Sequence, residues 1–408
     1  MVRFAHLADL HLGGWRDPEI EAFSEEAFKQ ATAMCINEKV DFIIIAGDFF
    51  DTAMPSFEVL DFITIELSKL KAKGIPVYSV AGSHDFSPSG KTFLRVLESA
   101  GLLVNVGRAS EDDPKEAGKD AIRTPDGTLI CGISGRKAAL DENTFIALDK
   151  KELSERLNAP SDFKILAFHA GIKEFLPGYL KEVDAMPLSL LPKGFDYYAT
   201  GHIHHPSLHD FEGGTVAFPG ALFPANFAEL ERFGKGGFYI VSVENGKADI
   251  EFKELKVCEI ETITVNAEGL SPSELQARIE GEISELDSEG FILLIRLKGT
   301  LKEGAPSDIN FRHITEFAAE NGAIAIRRNI SALGAISYSE VSVKTEGIEE
   351  MERNIISESI GKSSLPKETE TVLIPGLMAA LDIEKLDGEG VQAFKERTIA
   401  EAKATTGV

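Results

Sequence analysis

The stretch Phe42-Ile-Ile-Ile-Ala-Gly-Asp-Phe-Phe-Asp51 decides the fold of this chain. Its first four residues, Phe42 to Ile45, are aromatic or β-branched, and the run ends at Gly47, which is typical of a short strand covered on both faces. Ligands of open α/β sheets bind beyond the carboxyl ends of the strands, so Asp48 lies where chemistry is expected. A carboxylate there can bridge two cations, although an Asp at a strand end also commonly caps the next turn.

Other predicted strands end in residues of the same kind. The strand Val2–Leu7 runs into Asp9 and His11, and their D-x-H spacing puts both side chains on one side of an extended chain. Imidazole and carboxylate ligands together suit Mn, Fe or Zn better than Ca or Mg. The later strand ends carry Gly82-Ser83-His84-Asp85, His169 and Gly201-His202-Ile203-His204.

A single histidine is more often a packed core or surface residue than a ligand, and we expect His6, His205 and His209 to be such bystanders. Five of the nine histidines, however, follow predicted strands, and Asp9 and Asp48 occupy matching positions. This coincidence predicts a metal centre at one edge of the fold.

The pattern of apolar residues predicts a layered α/β domain. Amphipathic helices at Glu19–Lys39 and Pro55–Lys73 alternate with the first strands. Strands between Thr215 and Phe252 complete the second sheet of a two-sheet sandwich flanked by helices. The polar segment Ala109–Asp120 predicts a surface loop, and Asp141–Leu157 is predicted to be helical.

Length and composition predict more than one domain, since 408 residues exceed a single core. We expect a metal-centre domain at 1–255, a smaller α/β module at 256–345, and a linker with a tail at 346–408. The tail has small apolar faces beyond a polar linker, which favours a docking element for a partner. A tail that packs back on its own chain is the alternative.

Charge and cysteine usage limit the class of protein. A formal net charge of −24 argues against a simple basic-groove nucleic-acid binder, so a phosphate substrate would need bound cations, a local basic patch or a basic partner. The three cysteines, Cys35, Cys131 and Cys258, are far apart, and apolar runs reach only strand length. We therefore expect reduced thiols in a cytoplasmic protein without a membrane span.

The ordered motifs resemble the calcineurin-like metallophosphoesterase superfamily. Within it, Phe4–Gly13, Gly47–Phe50 and Thr200–His204 are similar to the nuclease subunit (SbcD-type, archaeal and eukaryotic form) of a DNA double-strand-break repair complex that contains an SMC-like ATPase. The similarity is good over residues 1–255 and only general beyond them.

That resemblance implies a DNA nuclease with two Mn²⁺ ions, acting on single strands internally and on double-strand ends. Asp9, His11 and His204 would hold one ion, His169 and His202 the other, with Asp48 bridging. His84 would contact the phosphate and assist the leaving oxygen. The resemblance also implies a capping domain at 256–345, docking of the tail to the SMC-like ATPase, a homodimer, and a location at the nucleoid.

Two positions depart from the family pattern. Ser83 stands where the family usually has an Asn that gives its amide oxygen to the second metal, and a hydroxyl is a shorter, weaker ligand. Asp51 stands where the family often has a His associated with DNA ends, and here it either brings negative charge toward the phosphate or caps a turn.

Three alternatives remain at this stage. Another calcineurin-like esterase, acting on small phosphodiesters or phosphoproteins, would share every metal residue. A DNA-end tether without activity would have a second metal site weakened by Ser83. A structural protein with incidental histidines would bind no metal.

Overall fold

The computed structural model describes residues 2–87, 90–135, 140–157, 163–181, 183–335, 394–395, 397–400 and 403. Those up to 335 belong to one compact unit, and those from 394 onward belong to a second, in which they are helical. The predicted boundary near 345, the linker and most of the predicted tail lie outside the described residues. The division into three domains therefore stays a prediction.

The strands of the described part are β1 (Val2–Leu7), β2 (Phe42–Ala46), β3 (Val77–Val80), β4 (Val104–Asn105), β5 (Ile122–Arg123), β6 (Leu129–Ile133), β7 (Lys164–His169), β8 (Gly171–Ile172), β9 (Ala185–Met186), β10 (Tyr197–Gly201), β11 (Ser207–Phe211), β12 (Gly214–Phe218), β13 (Gly236–Glu244), β14 (Lys247–Leu255), β15 (Glu259–Asn266), β16 (Phe291–Leu301) and β17 (Ala323–Ala335). Its α-helices are α1 (Pro18–Asn37), α2 (Phe57–Ala72), α3 (Leu94–Ser99), α4 (Arg108–Asp112), α5 (Leu140–Ala147), α6 (Lys150–Leu157), α7 (Phe227–Phe233), α8 (Pro272–Ser284) and α9 (Phe311–Glu320).

Two six-stranded sheets form the larger part of this unit, which we call the body. Their strand orders are β14-β13-β1-β2-β3-β4 and β11-β12-β10-β7-β6-β5. Every residue of β2 is buried, as its sequence predicts: Phe42 and Ile44 belong to the core between the sheets, and Ile43 and Ile45 pack with the residues of α1 and α2. The predicted two-sheet sandwich flanked by helices is confirmed. The expectation that the strands between Thr215 and Phe252 complete the second sheet is wrong for β13 and β14, which join the first sheet because β13 pairs with β1.

A separate three-stranded parallel sheet, β15-β16-β17, follows the body, and we call it the cap sheet. Leu293 and Ile295 of β16 share a core with the apolar residues of α8 and α9. Ile292 and Leu294 are buried in a core that also contains residues of the body. The cap sheet is therefore covered on both faces, and one face rests on the body.

Two details differ from the sequence predictions. The segment predicted as a loop at Ala109–Asp120 begins within helix α4, because Glu111 is drawn inward by hydrogen bonds from Arg95 and Asn105. The single helix expected between 141 and 157 is two, α5 and α6. Among the described residues, no helix combines the length and apolarity needed to cross a membrane.

Candidate metal centre

The site lies where strands of both sheets end. Within each sheet the strands that carry it are parallel to one another, so their carboxyl ends share one edge. Asp9 follows β1, Asp48 follows β2, and His84 follows β3. His169 ends β7 in the second sheet, and His202 and His204 follow β10.

The backbone at this edge is strained at four of the residues singled out by sequence. Asp9, His11, Asp48 and His202 have φ angles of 51°, 44°, 48° and 80°, in the left-handed region that non-glycine residues seldom adopt. Such strain concentrates at functional sites, where the surrounding fold holds the side chains in place.

Two glycines allow the loops to approach one another. A Cβ atom at Gly47 would lie 2.3 Å from Nδ1 of His169, and one at Gly82 would lie 2.2 Å from the backbone nitrogen of Asp48. A larger residue at either position would push the strand ends apart. This explains why glycine accompanies the ligand-type residues in the sequence.

Asp9, His11 and His204 form one group whose donor atoms all lie within 4.8 Å of one another. The Nε2 atoms of His11 and His204 face each other at 3.2 Å. Asp9 is fully buried, and its carboxylate accepts hydrogen bonds of 2.9 and 3.1 Å from the backbone N–H of His202.

The outer nitrogens of these two imidazoles are held by carboxylates. Nδ1 of His11 lies 3.2 Å from Oδ1 of Asp51, and Nδ1 of His204 lies 3.0 Å from both carboxylate oxygens of Glu229. A carboxylate accepts a hydrogen bond, so both rings carry their proton on Nδ1 when neutral. Two lone pairs then face each other at Nε2, an arrangement that suits a cation between them.

Asp48 and His169 form the centre of a second group, which Asp9 completes. Nε2 of His169 lies 3.1 Å from Oδ2 of Asp48, while Nδ1 of the same ring lies 2.9 Å from the carbonyl oxygen of Ala46. Oδ2 of Asp48 is also 3.7 Å from Nε2 of His11. Asp48 thus lies between an imidazole of each group, as the bridging role requires.

The chemistry of the donors fits divalent cations. Nε2 of His169 is buried and lies 3.1 Å from Oδ2 of Asp48, so this contact holds a proton when the ring is charged and an imidazole lone pair when the ring is neutral. A cation between the neutral ring and the carboxylate would satisfy both buried atoms, as buried polar atoms almost always are. The buried cluster combines imidazole nitrogens with carboxylate oxygens. Mn, Fe and Zn prefer this combination of ligands.

Ser83 and His202 lie beside the second group with weaker geometry. The hydroxyl of Ser83 donates to Oδ2 of Asp48 at 3.5 Å. His202 lies next to His169, with ring centroids 5.4 Å apart, and its Nε2 donates to the carbonyl oxygen of Asp184 at 3.0 Å. Among the described residues, no candidate group of metal ligands includes His202.

His84 occupies the open side of the site. Its side chain is 46% exposed, and its Nδ1 donates to the carbonyl oxygen of Asp51 at 2.7 Å. Its ring also stands edge-on to His11, with centroids 4.8 Å apart. An exposed imidazole fixed through one nitrogen can offer the other to a substrate, and a ring nitrogen of His84 also lies within 4.8 Å of donor atoms of His11 and Asp48.

Electrostatics tie the site together in the metal-free protein. Burial lowers the pKa of His169, but the Asp48 and Asp9 carboxylates outweigh burial and raise that pKa to about 10. Burial likewise opposes the raised pKa of His204, which Asp9 and Glu229 bring to about 9. Burial also opposes ionisation of Asp48, yet the charge of His169 keeps the pKa of that carboxyl below its usual range.

Sequence reasoning assigned no role to two acidic residues that organise the site. Glu229 orients His204 from helix α7, and its only sequence signal is a place in the first turn after the N-cap Asn226. Asp85 is buried and accepts from the backbone N–H groups of Gly82 and Phe50, which joins two of the loops. Burial and the nearby Asp48 raise the pKa of Asp85 to about 6.

The bystander histidines behave as expected. His6 is fully buried against Tyr197, and His209 stacks on Phe175 with a centroid distance of 4.0 Å. His205 lies 3.0 Å from the hydroxyl of Tyr179.

Comparison with known proteins gives consistent relatives. The sequence profile of the family described as calcineurin-like phosphoesterase matches residues 2–206. A protein of Archaeoglobus fulgidus named DNA double-strand break repair protein Mre11 is 27% identical over 374 residues, which cover 87% of this chain and 80% of that protein. The Mre11 protein of Methanopyrus kandleri is 28% identical over 363 residues, covering 85% of this chain and 75% of the relative.

Among solved structures, a dimetal phosphatase from Danio rerio is similar to this chain. Its TM-score is 0.42 at 14% sequence identity, and the match covers 62% of this chain and 96% of that structure.

Proposed function

This chain belongs to the calcineurin-like phosphoesterase family, and from that membership we propose that it is a manganese-dependent DNA nuclease that processes the ends of double-strand breaks. It cuts single strands internally and double strands from their ends. The extent of the similarity to the Mre11 proteins carries this proposal, because it continues well beyond residues 2–206 to cover 87% of this chain. A generic phosphoesterase would share only the catalytic domain.

In this proposal Asp9, His11 and His204 hold one Mn²⁺, and His169 and His202 hold the other. Asp48 serves both, and Ser83 supports the second site through its contact with Asp48. The facing nitrogens of His11 and His204 and the contact of the buried Nε2 of His169 with Asp48 support this assignment. Two bound cations would clamp the phosphodiester, acidify the attacking water and neutralise charge at phosphorus.

The chain's own contribution to bond cleavage is His84. Asp51 fixes its Nδ1 through the backbone carbonyl, so Nε2 points to the substrate side and, when protonated, donates to the departing oxygen. Asp48 accepts a 2.8 Å hydrogen bond from the backbone N–H of His84. The bridging carboxylate thereby positions the residue that assists the leaving group.

A local cation offsets the acidity of the chain near the site. Helix α7 carries Arg232 three residues after Glu229, so both lie on the same face. The Arg232 guanidinium lies 3.8 Å from the ring centroid of the exposed Tyr179, and it makes no ion pair with any described carboxylate. We propose that Arg232 contacts a DNA phosphate next to the cleaved bond.

The partners we propose are an SMC-like ATPase and a second copy of the chain. The tail at 346–408 would dock the ATPase, and the 56% exposure of Ile399 supports this. On α2, the apolar side chains Phe57 and Ile65 are 87% and 49% exposed. They lie about two helical turns apart, toward the same side of the helix, which supports a dimer contact there. We propose a cytoplasmic location at the nucleoid.

Cleavage of single-stranded and blunt-ended duplex DNA by the purified chain tests this function. We expect cutting in Mn²⁺, none in chelator, and loss of cutting in His84→Ala with Mn²⁺ binding retained. The matched control is His313→Ala, which removes an exposed histidine from α9. Absence of cutting with and without the ATPase, in a chain that binds fewer than two ions, would refute the nuclease and favour the tether.

A further inference from the structure

The cap sheet presents two arginines to the body. Residues of β16 alternate between its faces: Ile292 and Leu294 are buried with body residues, whereas Leu293 and Ile295 pack with α8 and α9. Arg296 continues the body-facing series and is the single charged residue between Phe291 and Leu297. In β17, Arg327 pairs with Leu294 in register and so shares that face.

Arg296 grips helix α7. Its Nε and Nη2 atoms donate to the two carboxylate oxygens of Glu231 at 2.7 and 2.6 Å, and its guanidinium carbon lies 5.2 Å from the ring centroid of Phe227. Both side chains of the ion pair are more than two-thirds buried. A bidentate pair of this kind fixes orientation as well as distance.

Helix α7 in turn fixes His204. Glu229, two residues before Glu231, holds Nδ1 of His204 and also accepts hydrogen bonds from the backbone N–H of Ala225 and the amide of Asn226. Its carboxylate is therefore tied to the start of the helix. Any displacement of α7 moves the group that orients the His204 ring.

Arg327 contacts a residue close in sequence to His11, the other histidine of the same group. Its guanidinium carbon lies 5.1 Å from the ring of Trp15, four residues after His11. The backbone N–H of Trp15 donates to Glu21, which also holds Gly13, and the indole N–H donates to the carbonyl oxygen of Pro224 just before α7. The contacts of Arg296 with α7 and of Arg327 with Trp15 therefore act on segments that are linked to each other and that hold His204 and His11.

We propose that Arg296 and Arg327 are positioning residues, through which the seating of the cap sheet on the body sets the spacing of His11 and His204 and hence the cation affinity of the Asp9–His11–His204 group. This inference rests on the proposed assignment of that group as a cation site. Because coupling between two sites is reciprocal, a bound cation also holds the cap sheet in place. A purely structural salt bridge would affect stability without linking the two.

Calorimetric titration of Mn²⁺ into the full metal-free chain tests the first half of the proposal. Loss of a residue that orients a metal ligand typically weakens metal binding about 10- to 100-fold. Arg296 acts on His204 only through helix α7, so we expect the tighter of the two Mn²⁺ binding events to weaken by roughly three- to tenfold in Arg296→Met. Arg296→Lys keeps the charge without the fork and gives the same direction if Arg296→Met does not fold. The control is Arg312→Met, an exposed arginine on α9 paired with Glu316.

Hydrogen exchange tests the second half. We expect Mn²⁺ to slow amide exchange in β16 and β17 of the wild type. We expect no such slowing in the Arg296 variant that folds. Wild-type affinity together with undiminished Mn²⁺ protection of the cap sheet in that variant overturns the inference. If His204→Ala leaves Mn²⁺ affinity unchanged, the site assignment itself is wrong, which is a separate failure.

Discussion

The two halves of the metal centre differ in the groups that orient their imidazole rings. In the half formed by Asp9, His11 and His204, both imidazoles are oriented by carboxylates at 3.0–3.2 Å. In the half formed around His169, the ring is oriented by a backbone carbonyl and lies beside His202, while the short hydroxyl of Ser83 contacts Asp48. Since carboxylates raise the basicity of the imidazoles they hold, we expect a tight first cation and a weaker second one.

Substitution of Asp48 is expected to have the largest effect, because its carboxylate lies between an imidazole of each group. We expect Asp48→Asn to abolish the second binding event and to lower the rate of DNA cleavage by on the order of 10³-fold or more, since each cation supplies several kcal/mol of transition-state stabilisation. Single-turnover cleavage and calorimetry measure the two effects. Asp61→Asn, an exposed aspartate on α2, is the control, and full activity in Asp48→Asn would contradict the bridging role.

Glu229→Gln acts on the stronger half alone. The amide no longer accepts as a carboxylate does, so the basicity of His204 falls and we expect the tight event to weaken about 10- to 100-fold. The weaker Mn²⁺ binding event, at the His169 half, should keep its affinity. Calorimetry separates the two binding events. Equal weakening of both events would show that the halves are not independent.

Ser83→Asn acts on the weaker half in the opposite direction. An amide oxygen extends further than the hydroxyl and is a better ligand, so we expect the weaker event to tighten by about tenfold, or roughly 1.4 kcal/mol. Cleavage at low Mn²⁺ should rise accordingly. A lower affinity in this variant would mean that Ser83 already contributes as much as the second site can use.

We expect protons to compete with cations for the histidines of both halves. The pKa values of His169 and His204, about 10 and about 9 in the metal-free protein, lie above the ordinary value of 6.5. The stability that these charged rings contribute is complete below pH 6.5 and is lost as pH rises through those values, at no more than about 1.4 kcal/mol per pH unit for each ring. Urea unfolding in chelator should therefore show stability falling between pH 6.5 and 8.5.

Excess Mn²⁺ should remove that fall, because cation binding strengthens as the ligands lose their protons. His169→Gln should flatten the pH dependence in chelator. An identical pH slope with and without Mn²⁺ would contradict the competition.

Arg232→Gln extends the comparison to the substrate, since Arg232 lies beside the His204 half. Loss of one phosphate contact should lower the slope of log affinity against log salt by about 0.7 for single strands and about 0.9 for duplex, with only a few-fold loss of affinity at moderate salt. Arg123→Gln, at the opposite end of the second sheet, is the control. An unchanged slope would exclude Arg232 from the DNA contacts.

Much of the fold follows from local sequence signals. The run from Phe42 to Ala46 is apolar on both faces, and the strand it predicts is buried throughout. Local signals also mark the start of α8, where Ser271 and Pro272 open the helix and both halves of a capping box form. These signals succeed because the residues that decide the structure are adjacent in the chain.

The features that could not be predicted from the sequence depend on contacts between residues that are far apart in the chain. Glu229 meets His204 across 25 positions, and Arg296 meets Glu231 across 65, so no local spacing reveals either pair. Ala109–Asp120 has the composition of a loop, yet Arg95 draws Glu111 inward and part of it becomes helical. The metal-type residues were predictable because each one follows a strand, whereas the residues that orient them were not.

Titration of Mn²⁺ into the metal-free chain, with binding followed by calorimetry and DNA cleavage measured at each concentration, tests the central claim most directly. We predict two binding events per chain with unequal affinity, and cleavage of DNA that appears with the second. A single binding event, or cleavage that persists in chelator, would contradict a two-cation DNA nuclease with unequal halves.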